Sequence, residues 1–481
     1  MPNTVVVVGA GVTGLVAARQ LAMDESLEVI VLEASDRVGG QIRTERIDGA
    51  LVDVGAEAIH LGAPQVAGLV RELGLDDTVI GAAPGASVLA TRKGLRPLPA
   101  GVGPTGPTKI LPVLKSGILT PAGLLRAGLE PLMARHRVEG DEGVGVFTRR
   151  RFGREVTDTF VDPLLGNLHG GDVRLLSLQS TAPQLVGDAA SGTSMLLKSL
   201  RRTKSAAPAP ASALPMFASW PEGLETFTRA LADQSGAAIL TNSAVTGLTR
   251  DSGRWTVEVG DQTISADQVL FTTPADVTAG LLETVCPEVT RALAWVPQVS
   301  VATVVLGWPR EQARRSQMLR DSNGVLLPGK AVRTFKAATN LSRKWPSLGS
   351  AHHLLRASVG RFGSTAAEDL DDDAMTAAVA AELAELAGTP WQPEVREVFR
   401  WPRSMPQLQP GHADRISAAR DALHEVGGLW IAGCGVDGLG IGSTVKSANR
   451  AATEIVFHVH RDNPEELPAW AQTNHHSRGV K

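Results

Sequence analysis

The pattern of apolar and polar positions is clearest at the start of the chain. Residues 4–8 form an unbroken β-branched run, as expected of a strand buried on both faces of a parallel sheet. Gly9-Ala10-Gly11-Val12-Thr13-Gly14 follows, then a helix-forming stretch over 15–23. A second apolar strand over 28–32 ends in Glu33. Farther on, the pattern predicts helices over 110–137, 142–160, 222–233 and 374–387. It predicts strands at 239–240, 255–259, 268–272, 299–307, 354–360 and 395–401. Residues 98–108 and 203–215 are rich in Pro, Gly, Ala or Ser and read as loops. Near the end, the strand-like run 428–433 meets the glycine-dense run 437–442, and 443–456 reads as a helix. The fold class is α/β without an internal repeat, its last segment folding back to complete the domain begun at residue 1.

The first glycine turn has a physical reading. Gly9 permits a tight turn, Gly11 lets a pyrophosphate approach the backbone, and Gly14 lets the helix pack closely on the sheet. The helix N-terminus offers free N–H groups and a positive dipole end. Glu33 follows Gly14 by 19 residues, a spacing that suits a carboxylate accepting from ribose hydroxyls. Strand, glycine turn, helix, strand and acid together point to dinucleotide binding. Arg37, Gly39, Gly40 and Arg43 come just after the acid. The glycine pair implies another close backbone approach, and the arginines suit either phosphate or the holding of a loop.

Composition narrows the classes. The 481 residues, 43% hydrophobic and 20% charged, fit a folded chain of several domains. Forty-seven basic against 50 acidic residues leave no global field for nucleic acid. The basic runs at Arg149, Arg150, Arg151 and Arg154, and at Arg201, Arg202 and Lys204, read as solvated faces. Cys286 and Cys434 are too few for a disulfide framework or a four-cysteine zinc site, and they suit a reducing cytoplasm. His458, His460, His475 and His476 have no cysteine companions, so no metal site is expected. The longest uncharged runs are 18 residues, and both contain glycine, so no transmembrane segment is expected. Residues 110–132 read as a buried helix pair, with peripheral membrane contact as the alternative. The chain has nine Trp and ten Phe but no Tyr, which excludes any mechanism that needs a phenol.

The extended Arg-x-Gly-Gly-x-x-Arg signature and Asp53-Val54-Gly55-Ala56-Glu57 resemble the fingerprint of FAD-binding flavoproteins of the amine oxidase superfamily. Within it, the chain resembles the oxygen-dependent protoporphyrinogen and coproporphyrinogen oxidases, actinobacterial members above all. That likeness rests on Leu95-Arg96-Pro97-Leu98-Pro99, Arg150-Arg151-Phe152-Gly153 and Val161-Asp162-Pro163-Leu164-Leu165. It continues through Ser342-Arg343-Lys344-Trp345, Arg361-Phe362-Gly363, Met405-Pro406-Gln407, Gly411-His412 and Gly438-Leu439-Gly440-Ile441. The resemblance implies a Rossmann-like FAD domain assembled from 1–85, 216–280 and 416–460, with a mixed-sheet substrate domain over 281–415. It also implies a helical cap over 86–215, and 461–481 reads as a flexible tail.

The implied reaction takes hydride from a porphyrinogen to FAD in repeated cycles, with loss of a pyrrole proton, and O2 reoxidises the flavin to give H2O2. By resemblance, Gly9, Gly11, Gly14, Glu33, Gly39, Gly40 and Arg43 hold the ADP half. Val245 lies by the adenine, and Gly433, Gly440 and Ile441 lie near the ribityl chain and ring. A polycarboxylate macrocycle calls for basic side chains, and Arg92, Lys93, Arg96, Arg333 and Lys336 are the candidates. His169 and His412 are candidates for proton transfer, set against local hydrogen bonding.

Three departures stand out. Family members commonly carry Tyr where this chain has His169 and Leu408, and Pro where it has Gly442. A two- or four-propionate porphyrinogen, coproporphyrinogen III favoured, is therefore weighed against a recruited paralogue, a flavin amine oxidase and a non-catalytic flavin- or tetrapyrrole-binding scaffold. Oligomeric state stays open, as does peripheral attachment of a cytoplasmic enzyme to membrane.

Overall fold

The computed structural model describes residues 2–202, 214–329, 333–388 and 392–476. Its centre is a five-stranded parallel sheet. Asn3–Val8 (β1) lies between Leu27–Leu32 (β2) and Gln268–Phe271, with Ala238–Leu240 and Leu429–Ile431 on the two edges. Val5, Val6 and Val7 are fully buried, as the β-branched run requires. Each such side chain contributes roughly 1.5–3 kcal/mol of burial. The helix Val12–Leu21 (α1) packs on the long C-terminal helix Ile441–Val459, so the two ends of the chain close one domain.

A second, seven-stranded mixed sheet stands beside it. Its order is Val395–Pro406, Gln298–Trp308, His353–Val359, Phe335–Asn340, Gly324–Leu326, Ser87–Thr91 and Gly94–Pro97. The hairpin 87–97 therefore joins this sheet rather than the helical cap in which the 86–215 boundary put it. The predicted loop over 98–108 holds only a tiny hairpin, Val102–Gly103 with Gly106–Pro107.

The cap is more broken than its hydrophobic pattern suggests. The helical stretch over 110–137, read as a pair, is in three pieces, Ile110–Ser116, Pro121–Gly128 and Glu130–Met133. Gly117 turns left-handed at φ 64°, and Pro121 and Pro131 start the next pieces. Leu111, Leu114, Leu125 and Leu132 are left exposed, which corrects the reading of this stretch as a buried pair. The helix predicted over 142–160 is likewise cut at Gly153, where φ is 94°. Beyond it, Thr157–Gly166 is wound as a wide helix of i→i+5 type with Pro163 inside, running directly into Asn167–His169.

The basic run of the cap is a solvated face only in part, with Arg149 and Arg154 exposed. Arg151 is fully buried, with Nη1 3.3 Å from Glu130 Oε1 and its other contacts on the carbonyls of Asp188 and Thr193. Arg150 is paired with Glu142, and Arg154 with Asp158. The segment expected to be a flexible tail also begins in order. Ala469–His476 is helical, and Ala471 is buried against the first core. The predicted loop 203–215 lies outside the described residues up to 213, as do 477–481 of the tail.

Candidate active site

Two glycine segments from opposite ends of the sequence meet at the C-terminal edge of the parallel sheet. At the first, Gly9 has φ 103°, and its N–H donates to Leu32 O at 2.7 Å. A Cβ on Gly11 would meet nothing within 4 Å, so that backbone faces open space. Gly39 N–H donates to Ala10 O at 2.8 Å, and a Cβ on Gly40 would lie 3.2 Å from Gly11 Cα. The second glycine pair thus packs backbone to backbone on the first turn. Arg37 holds this loop, donating to the carbonyls of Val38, Gly40 and Ile42. Arg43 is paired with Glu45.

Glu33 braces the turn. Its Oε2 accepts from Ala10 N at 2.8 Å, and its Oε1 accepts from Ser35 N and Ser35 Oγ. Glu33 O accepts from Ser243 N, which brings the start of Val245–Asp251 alongside. Val245 is half-buried against the core that contains Val6, Val8 and Leu32. At the other end, Gly433 has φ 121° and donates its N–H to Ser447 Oγ at 2.9 Å. A Cβ there would stand 3.7 Å from Thr13 Oγ1, so the late glycine segment touches the first turn of α1. Gly440 has φ 95° and faces open space just before Ile441 begins the last long helix.

These residues fit a dinucleotide. The helices Val12–Leu21 and Ile441–Val459 both start without a capping side chain and without an acid in the first turn. Their N-terminal amides are left for an anionic group.

A second constellation lies where the wide helix of the cap meets the mixed sheet. His169 is 6% exposed, its Nδ1 has no partner, and its backbone O accepts from Gln407 Nε2 at 2.9 Å. Asn167 Nδ2 donates to the carbonyls of Leu327 and Lys336. Arg361 Nη2 donates to Asn167 Oδ1 at 3.2 Å, and Phe362 N–H donates to Gly170 O at 2.7 Å. Lys336 is 3% exposed. Burial, then Arg361 and Arg356, hold its ammonium down to about 7. Burial and Lys336 push His169 down to about 4.

Next to this niche, Glu57 accepts from Lys344 Nζ at 2.7 Å, Trp345 Nε1 at 3.1 Å and Arg356 Nη1 at 3.3 Å. Burial alone would raise this carboxyl, but the two cations outweigh it and bring it to about 2. Sequence reasoning singled out neither Glu57 nor Arg361 as a site residue, although both stand in the motifs quoted above.

The other candidates fall elsewhere. Arg92, Lys93 and Arg96 are exposed on the edge hairpin, Lys93 reaching Gly117 O. Arg333 forms a two-pronged pair with Glu385, both contacts at 2.8 Å, so its charge is already met. His412 is buried, and its Nε2 sits 2.9 Å from Val436 O. This is the local hydrogen bond set against proton transfer in the reading of the sequence. Leu408 is fully buried in the core with Ile416 and Ala419. A Cβ on Gly442 would find only ordinary contacts near 3.7 Å.

This arrangement defines a flavin-type dinucleotide fold with a mixed-sheet partner domain. The chain belongs to the family described as flavin-containing amine oxidoreductase, which matches residues 12–456. It is 30% identical over 469 residues to the coproporphyrinogen III oxidase of Bacillus subtilis, covering 95% of this chain and 98% of that protein. It is also 30% identical to the coproporphyrinogen III oxidase of Mycobacterium leprae over 463 residues, with the same coverage. A crystal structure from Exiguobacterium sp. 255-15, provisionally a protoporphyrinogen oxidase, superposes with a TM-score of 0.83 at 25% identity. It covers 95% of this chain and 99% of that one. The resemblance drawn from the motifs is borne out at the level of family and fold. No helix among the described residues is long and apolar enough to cross a membrane.

Proposed function

We propose that the chain is an FAD-dependent oxidase that converts coproporphyrinogen III to the porphyrin, with O2 as acceptor and H2O2 as product. The observation that carries this reading is a dinucleotide cradle built from both chain ends, in a chain alike over 95% of its length to proteins named coproporphyrinogen III oxidase. FAD, when bound, supplies the hydride acceptor and the reaction with oxygen. Gly9, Gly11, Gly14, Gly39, Gly40, Gly433 and Gly440 hold it through backbone, and Glu33 orients the first turn. The protein's own task is to bind an anionic macrocycle, keep water out and let a pyrrole proton leave.

The cluster of Lys336, Arg356 and Arg361 favours a carboxylate-bearing substrate over an amine. A protonated amine would meet like charge there, at a cost that grows in a buried site. The test is a fluorescence assay of the flavin-loaded protein with coproporphyrinogen III, protoporphyrinogen IX and simple amines in parallel. The expected result is coproporphyrin formation well above air oxidation, with the flavin band bleached by coproporphyrinogen III under anaerobic conditions. Peroxide from amines alone would overturn the reading.

A further inference from the structure

We infer that Lys336 anchors one carboxylate of the anionic substrate, and that it draws a proton from solvent as that carboxylate arrives. This deepens the proposed function and rests on it.

The argument starts from a break in a strand. In Phe335–Asn340, Phe335 stands opposite Val359 and Ala337 stands opposite Ser358. Lys336 is therefore the extra residue of a bulge, a device that re-aims a side chain. Here it leaves both Phe335 and Lys336 buried, where plain alternation would bury only one. The backbone of the bulge is held in place, since Lys336 O accepts from Leu327 N and Asn167 Nδ2.

The ammonium end is equally confined. A Cβ on Gly170, itself at φ 57°, would lie 3.1 Å from Lys336 Nζ. Yet Nζ has no hydrogen bond and no carboxylate in ion-pair reach among the described residues. The charged groups around it are all accounted for. Arg356 is engaged with Glu57 and with the carbonyls of Val54 and Gly55. Arg361 is bonded to Asn167 and attracted to Asp162, which in turn accepts from Gly329 N. His169 Nδ1 faces no partner. The niche holds two guanidiniums, a lysine and a histidine, and its acids are already committed.

A buried ammonium without a counter-ion is unfavourable, and the free protein relieves this by shedding the proton. An incoming carboxylate supplies the missing charge and restores it. The step balances as carboxylate plus neutral amine plus one solvent proton, giving an ammonium–carboxylate pair. No bond to carbon changes. Binding and protonation are then linked, so affinity falls as pH rises above neutrality.

The test uses the FAD-loaded protein and coproporphyrin III, which carries the carboxylates but has no hydride to give. Calorimetric titration in buffers of different ionisation heat reads the protons exchanged. At pH 8 the expected uptake is about one proton per porphyrin, shrinking towards none at pH 6. Lys336→Met should abolish the uptake and weaken binding at pH 6 roughly ten- to hundredfold, with the flavin spectrum unchanged. Binding heat at pH 8 that is the same in every buffer would overturn the inference, a result read on the wild-type protein alone. So would wild-type affinity in Lys336→Met. If the wild type still oxidises coproporphyrinogen III in either case, only this inference fails. If it neither binds nor oxidises the porphyrin series, the proposed function fails with it.

Discussion

A Cβ placed on Gly14 would lie 1.9 Å from the carbonyl oxygen of Gly9. Helix and turn are thus in contact through backbone alone, and nothing flexible stands between them to give way. Gly14→Ala is expected to push α1 off the turn, costing about 1–3 kcal/mol or more of stability. The ratio of flavin to protein absorbance in the purified variant should fall several-fold. Wild-type flavin content in Gly14→Ala would remove the role given to this contact.

Glu33 acts on the same turn from the other side. Its carboxylate accepts from Ala10 N, Ser35 N and Ser35 Oγ. Hydrogen bonds to a charged group are worth about 1.5–3 kcal/mol each. Glu33→Ala should therefore raise the dissociation constant for FAD at least about tenfold, one such bond being enough. Flavin fluorescence on dilution measures it, and an unchanged constant would refute the bracing role.

Asp53 gives a pH prediction. It accepts from Thr44 Oγ1, Leu224 N and Ser219 Oγ, but burial prevails and raises it to about 6. A carboxyl raised on folding stabilises fully below its unfolded value, near 4, and loses that contribution as pH rises through about 6. Asp53→Asn removes the titration while keeping the shape. The variant should gain on the wild type between pH 4 and 7, by an amount of order 2 kcal/mol. Melting temperature against pH for both proteins decides it, and parallel profiles would count against it.

Arg151 and Glu130 are the pair to break in the cap. Glu130 also accepts from Ser194 Oγ, Met195 N and Leu196 N, so it fastens the helix Met195–Arg202. Removing one partner of such a buried pair costs about 3–5 kcal/mol. Arg151→Met should lower the melting temperature sharply, and adding Glu130→Gln should restore part of the loss. If the single variant melts with the wild type, the pair carries no stability.

The first βαβ unit was legible because its signals are local, a β-branched run, three glycines and an acid within one short span. The late glycine segment was legible for the same reason. The cap was misread because apolar residues over 110–132 fit core and surface equally, and only Gly117 and the prolines hint at the breaks. Lys336 could be named as basic, but its burial depends on a bulge that alternation does not reveal. Arg333 looked equivalent to it in the sequence and is cancelled by Glu385, 52 residues away. Arg151 and Glu130 show the same limit, because a charge run on paper says nothing of a carboxylate that tertiary packing brings to it.

The parallel sheet also sets the order in which the molecule can be made. Trp430 Nε1 donates to Gln268 Oε1 at 2.8 Å across 162 residues. During synthesis the Gln268–Phe271 strand emerges with its outer edge bare, and its partner follows only after the entire mixed sheet has been translated. Long-range pairing of this kind is slow, and an unpaired apolar edge invites association with other chains. The nascent protein therefore depends on protection of that edge until its last strand arrives, and a chain stopped before residue 429 would carry the exposed edge permanently.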